Sequence, residues 1–233
     1  MDHPLVMLAH GTRSAAGVAV VRDVAARVGV ELGGVDVPVG FVDVCGPTAA
    51  EVLADVRDAV VVPYFLTSGY HVRFDVPQAV AAASGAVSTA ALGKSPEVVD
   101  ALVQRLAEAV GEGPEVDAIL LGGAGSSDAR ARQEVHCLAA LLAAVTGVRT
   151  AAGFISGPGP TTYESLEMLR RDGAQRVAAV SLLLAPGVFH DKLSALGAEI
   201  TTAPLGPHPA LVGLVVRRYH DVLGSVRRPA PTC

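Results

Sequence analysis

The chain contains no tryptophan, and aromatic residues make up only 4% of it. Surfaces for single-stranded nucleic acid stack bases on aromatic rings, so this chain has little to offer one. Positive charge is also scarce: 18 Lys and Arg stand against 23 Asp and Glu, a formal net charge of −5. That excludes a global basic field for nucleic acid or an anionic membrane, and any anionic ligand has to be held by local donors. No apolar run approaches the roughly 20 residues of a membrane helix. The opening MDHPLVMLAHG lacks the basic segment and long apolar core of a secretory signal. The three cysteines, Cys45, Cys137 and Cys233, have neither paired nor metal-ligand spacing. That fits a reducing compartment. We expect a soluble cytoplasmic protein with no nucleic-acid and no membrane partner.

What the chain does have is Ala, Val and Leu. Hydrophobic residues reach 51% over 233 positions, enough for a large core of layered α/β packing. Leu5–Ala9 reads as a short buried strand, with His10, Gly11, Thr12, Arg13 and Ser14 at its carboxyl end. Val18 to Val30 carries Arg22, Asp23 and Arg27 like the wet side of a helix. Asp36–Val42 is a second strand, with Asp43 where it ends, and Gly46-Pro47 breaks the chain. Thr48 and Glu51 then form a capping box. Val60–Val62 opens a third strand, followed by a loop with Ser68, Gly69, Tyr70, His71 and Arg73, and by a short helix with Pro77 in its first turn. Ala86–Ala91 reads as a fourth strand, and Ser95-Pro96 as the N-cap of a helix running to about Val110. The order βαβαβαβα predicts a parallel sheet with helices on both faces.

After Gly111-Glu112-Gly113-Pro114 the pattern starts again. Phe41 to Thr48 finds its counterpart in Phe154 to Thr161, Thr161 and Glu164 repeat the capping box, and Leu92 to Pro96 is matched by Leu205 to Pro209. The offset is about 113 residues, so the chain is a tandem duplication, with one lobe over 1–112 and a second over 113–233. Arg227 to Pro231 reads as a frayed tail.

The duplication is its own control. His10, Asp43 and His71 at the strand ends of the first half become Ala124, Ser156 and Phe189 in the second, while caps and glycines persist. A purely structural role predicts retention in both copies, so the joint loss points to a chemical task needed once. Two imidazoles and a carboxylate suit a borderline divalent metal, and the same groups can serve as general bases. Nearby, Gly11, Thr12, Arg13, Ser14, Ser68, Gly69 and Arg73 are candidate donors to an anionic ligand. His190, next to Phe189 in the counterpart loop, is the one further histidine placed to approach the cleft, with an ordinary loop histidine as the favoured reading, and Cys45 reads as a small buried hydrophobe.

Ala9-His10-Gly11-Thr12-Arg13-Ser14, Phe41-Val42-Asp43, Pro63-Tyr64-Phe65-Leu66, Gly69-Tyr70-His71 and Asp75 with Pro77 resemble the class II chelatases, more closely the two-domain sirohydrochlorin chelatases. The resemblance extends to Gly125-Ser126-Ser127-Asp128 and Pro204 to Pro209. It implies two tandem chelatase-like lobes of flavodoxin-like three-layer α/β/α form, their parallel sheets facing a central cleft. It implies insertion of Fe²⁺ or Co²⁺ into sirohydrochlorin without ATP, for sirohaem or corrinoid synthesis, with no cofactor beyond the substrate metal. His10 and His71 match the metal-handling histidines, and Asp43 stands where a Glu is common. Tyr70 and Leu66 are placed to cover the macrocycle, and an Arg common before Gly-Ser-Ser-Asp is replaced by Ala124. The runner-up readings are a non-catalytic metal or tetrapyrrole carrier and a chelatase for another tetrapyrrole. Because the second lobe is built in, a monomer is expected.

Overall fold

The computed structural model describes residues 3–226; the tail expected at Arg227 to Pro231 lies outside them. The first half runs β1 (Leu5–Ala9), α1 (Ala15–Glu31), β2 (Val39–Phe41), α2 (Ala49–Ala54), β3 (Val60–Pro63), α3 (Tyr70–Arg73), α4 (Asp75–Ala82), β4 (Val87–Ser88) and α5 (Pro96–Val110). The second half repeats the plan. It runs β5 (Ala118–Gly123), α6 (Ala129–Thr146), β6 (Arg149–Phe154), α7 (Thr162–Arg171), β7 (Val177–Leu182), α8 (Val188–Ser194), β8 (Ile200–Thr201) and α9 (Pro209–Val226).

The strands form two four-stranded sheets, β2-β1-β3-β4 and β6-β5-β7-β8, parallel throughout. Both faces are covered, so the central strands are buried at every position and apolar except at Ser181 of β7. Leu5, Met7, Ala9 and Val62 belong to one core cluster, while the alternating Val6, Leu8 and Val61 belong to another. In each sheet the strand order turns back between the first and third strands, which is where open α/β sheets place ligands.

Two strands are shorter than the sequence suggests. Asp36–Val42 contracts to Val39–Phe41, after Pro38, which has no N–H to donate. Ala86–Ala91 contracts to Val87–Ser88, because β4 is an edge strand paired over two positions only. Both capping boxes form, Thr48 with Glu51 and Thr161 with Glu164. Ser95 stands at the N-cap of α5, but its hydroxyl donates to Leu92 O (2.6 Å) and accepts from Arg218 (3.0 Å) instead of capping.

The helical layers do not follow the sequence halves. The last helix of the second half, α9, packs on β3 and α1 of the first, and α5 of the first half packs on β7, β8 and α6 of the second. One core therefore joins Met7, Val62 and Leu102 to Ile119, Leu121 and Leu214. Arg217 of α9 pairs with Glu97 of α5 at 2.6 Å, Arg105 donates to Leu205 O at 2.8 Å, and the Tyr219 hydroxyl donates to His3 O at 2.7 Å. Outside this shared layer, α2 and α4 cover the first sheet, and α7 and α8 the second.

Candidate active site

β1 ends at Ala9 and delivers His10 to the carboxyl edge of the first sheet. Gly11 follows with φ +97°, and a Cβ there would stand 2.0 Å from Asp43 O. Only glycine lets the two chain segments approach this closely. The approach is fixed by Asp43 N–H donating to His10 O at 3.0 Å. The second half keeps the same device without the histidine: Gly125 has φ +98° and lies against Ser156 O. Backbone packing thus explains why position 11 is glycine, whatever Gly11 offers to a ligand. The Asp43 carboxylate accepts from Val44 N–H at 2.7 Å. Val44 itself sits at φ +67°, where its counterpart is Gly157 at +79°.

His71 does not lie in a loop as the sequence suggests. It stands on α3, a single turn N-capped by Gly69, one residue before α4. Four residues are too few to show a helical period. Its position brings the ring to 4.5 Å from that of His10, edge to face at 84°. One ligand atom from each of His10, Asp43 and His71 lies within 4.8 Å of the others. His10 and Asp43 are exposed and His71 half-buried, so the group is open on one side. An open partial ligand set suits an ion that must be taken up and released.

The histidines are oriented through Nδ1. In His10 it lies 3.1 Å from Gly11 O. In His71 it lies 2.5 Å from Asp75 Oδ2, four residues on. An ionised carboxylate only accepts, so His71 Nδ1 carries the hydrogen and Nε2 keeps a lone pair for a metal. Asp75 was absent from the candidate site set, although its i,i+4 spacing from His71 was a usable signal.

The other candidates divide. Ser14 caps α1, its hydroxyl accepting from Gly17 N–H at 3.2 Å, and Thr12 accepts from Ser14 N–H at 3.1 Å. Arg13 is exposed on the same loop. Tyr70 is exposed at 55%, stacked on Phe74 at 4.8 Å and edge-on to His71 at 5.8 Å. Phe74, Val44, Val188 and Phe189 are exposed as well, and sequence reasoning had not marked any of them as ligand-contacting. Arg73 and Ser68 are already engaged: Arg73 donates to Asp128 Oδ2 at 2.7 Å, and Ser68 N–H to Glu134 Oε2 at 2.7 Å. The backbone N–H of Arg130 and then Arg73 hold the Asp128 carboxyl below its usual range. His190, read as a loop residue, stands on α8 instead and bonds Thr202 O in its own half at 3.0 Å. Cys45 is half-buried, with its sulfur packed near Gly11.

Fold and site together define a two-lobed, doubly wound α/β protein with, among the described residues, one trio able to hold a metal, at the switch point of its first sheet. The CbiX family model matches residues 4–109 and again 118–222. The chain belongs to the CbiX family, and the double match is the tandem repeat seen in the sequence. Among solved structures, SirB from Bacillus subtilis with Fe³⁺ is 20% identical, with 97% of each chain covered and a TM-score of 0.81. The same organism's sirohydrochlorin chelatase SirB (subspecies spizizenii) with cobalt is 18% identical over 97% of each chain, TM-score 0.78. CbiX, described as the terminal enzyme of sirohaem biosynthesis in denitrifying bacteria, is 21% identical over 94% of this chain and 99% of that one, TM-score 0.72. No curated protein sequence matches the chain. Among the described residues, no helix is long and apolar enough to cross a membrane.

Proposed function

We propose that the protein is a sirohydrochlorin chelatase that inserts Fe²⁺ or Co²⁺ as its substrate metal, a lyase-type reaction needing no resident cofactor. The observation that carries this is the open His10–Asp43–His71 trio in a CbiX-family chain whose sister half lacks all three groups. In this reading a divalent ion and the metal-free macrocycle give the metallated ring and two protons. His10 and His71 hold the incoming ion through imidazole nitrogen. Each pyrrole N–H gives its proton to a nearby base as the N–metal bond forms, and Asp43, exposed to solvent, passes protons out. Exposed Tyr70, Phe74, Val44 and Phe189 supply apolar contact for the ring. With Arg73 engaged by Asp128, Arg13 is the candidate donor for a ring carboxylate.

The test is anaerobic mixing of protein, sirohydrochlorin and Co²⁺ or Fe²⁺, followed by visible absorption. Many turnovers per protein are expected. His10→Ala and His71→Ala, still folded, should each lose at least about 100-fold in kcat. Wild-type rates in both variants would defeat the mechanism, and a change that stops at one equivalent would make the protein a carrier.

A further inference from the structure

We propose that the second half acts as a polar clamp on the turn that carries His71, and that Asp128 and Glu134 are positioning residues for the metal site. This rests on the chelatase reading for its kinetic consequence, but not for its consequence for metal binding.

Three contacts bracket His71. Ser68, three residues before it, donates its N–H to the Glu134 carboxylate at 2.7 Å. Gly69, the N-cap of α3, lies against the second half: a Cβ there would meet Ser126 Oγ at 3.4 Å and Ala131 Cβ at 3.8 Å. Arg73, two residues after His71, donates to Asp128 at 2.7 Å. Asp128 also accepts from Arg130 N–H at 2.8 Å as the N-cap of α6, so the carboxylate that meets Arg73 is itself fixed. A one-turn helix is too short to hold itself in place. The start of α6 supplies what α3 lacks.

The pseudo-symmetry of the two halves shows that the clamp is not simply part of the fold. Reciprocally, the start of α1 packs against Pro186 and Gly187, the counterparts of Ser68 and Gly69. The apolar contact is therefore kept on both sides. The polar contacts are not. Pro186 has no N–H to donate. The counterparts of Arg73, Asp128 and Glu134 are Asp191, Ser14 and Val20, which form no such pairs. Carboxylate clamping occurs on the side that carries a histidine and is missing where Phe189 replaces it. The clamp travels with the site, as a positioning device should.

The experiment compares wild type, the double variant Asp128→Asn/Glu134→Gln, Arg73→Ala and Arg73→Lys. Asp128→Asn keeps an acceptor for the α6 cap while removing the charge. Three readouts are taken: Co²⁺ affinity without tetrapyrrole, kcat and KM for sirohydrochlorin, and the imidazole ¹⁵N signals of His71. The double variant and Arg73→Ala should bind Co²⁺ about tenfold more weakly and lose about tenfold in kcat with KM unchanged. The His71 signals should broaden, and Arg73→Lys should recover most of each loss. Unchanged Co²⁺ affinity with sharp His71 signals overturns the clamp. So does a lowered KM in the double variant, which would mean that Asp128 merely masks Arg73 from a substrate carboxylate. If the double variant does not fold, Arg73→Ala against Arg73→Lys decides by the same readouts. Should wild type bind Co²⁺ without turnover, the chelatase reading fails, and the clamp is judged on Co²⁺ affinity and the His71 signals alone.

Discussion

Asp75 accepts from His71 Nδ1, which leaves Nε2 as the nitrogen for the proposed metal. Removing such an outer partner typically weakens a metal site 10–100-fold. Asp75→Ala should therefore raise the Co²⁺ Kd by about that factor, and Asp75→Asn, which keeps an acceptor, by less; a Co²⁺ titration of both variants checks this. Val44 is a different case. A β-branched residue at φ +67° is strained, and the second half places Gly157 there. Val44→Gly should stabilise the fold by about 1 kcal/mol in a urea titration. It should also lower kcat, because Val44 N–H holds the Asp43 carboxylate and a glycine would let that link move. His10, Asp43 and His71 were legible in the sequence because the sister half deletes all three. Arg73 was not: its identity suggests an anion-binding arginine, but its partner Asp128 lies 55 residues away and no local pattern announces it.

Short elements carry the site, and caps decide whether such elements form. α7 has a complete capping box: Thr161 accepts from Glu164 N–H at 3.1 Å, and Glu164 accepts from Thr161 N–H at 2.8 Å. Thr161→Ala should cost about 1 kcal/mol of stability by urea unfolding and leave metal binding unchanged, since α7 lies on the outer face of the second sheet. Capping boxes and buried strands were readable because each is a local pattern with a local cause. The one-turn α3 was not, and for β4 the strand was legible but its two-residue length was not, since neither element is long enough to show a period. The packing partners of α5 and α9 were equally hidden. An apolar stripe says that a helix is covered but not by which sheet.

At the scale of the molecule, the titrating groups push stability the same way with pH. Backbone N–H groups of Thr48, Gln175, Arg130 and Thr161 are the main reason that Glu51, Asp117, Asp128 and Glu164 lie below their usual 3.8 or 4.5. Their contribution is complete above those values and is lost as pH falls through the lower folded ones. Burial, then the Arg105 charge, lowers His208 from 6.5. The unfolded chain takes up that proton first, so stability already declines below about pH 6.5. Urea midpoints should hold from pH 7.5 to about 6.5, decline below that and fall again below about pH 4.5, and His208→Asn should flatten the upper part of that fall. The exchange of α5 and α9 between the sheets has a further meaning. A single ancestral unit with this topology would leave its own sheet bare beside a helix reaching outward, and two copies would have to trade helices to be complete. Fusion of the copies makes that trade a matter within one chain, independent of protein concentration. It also means that the second half closes the first half's core without needing counterparts of His10 and His71 itself.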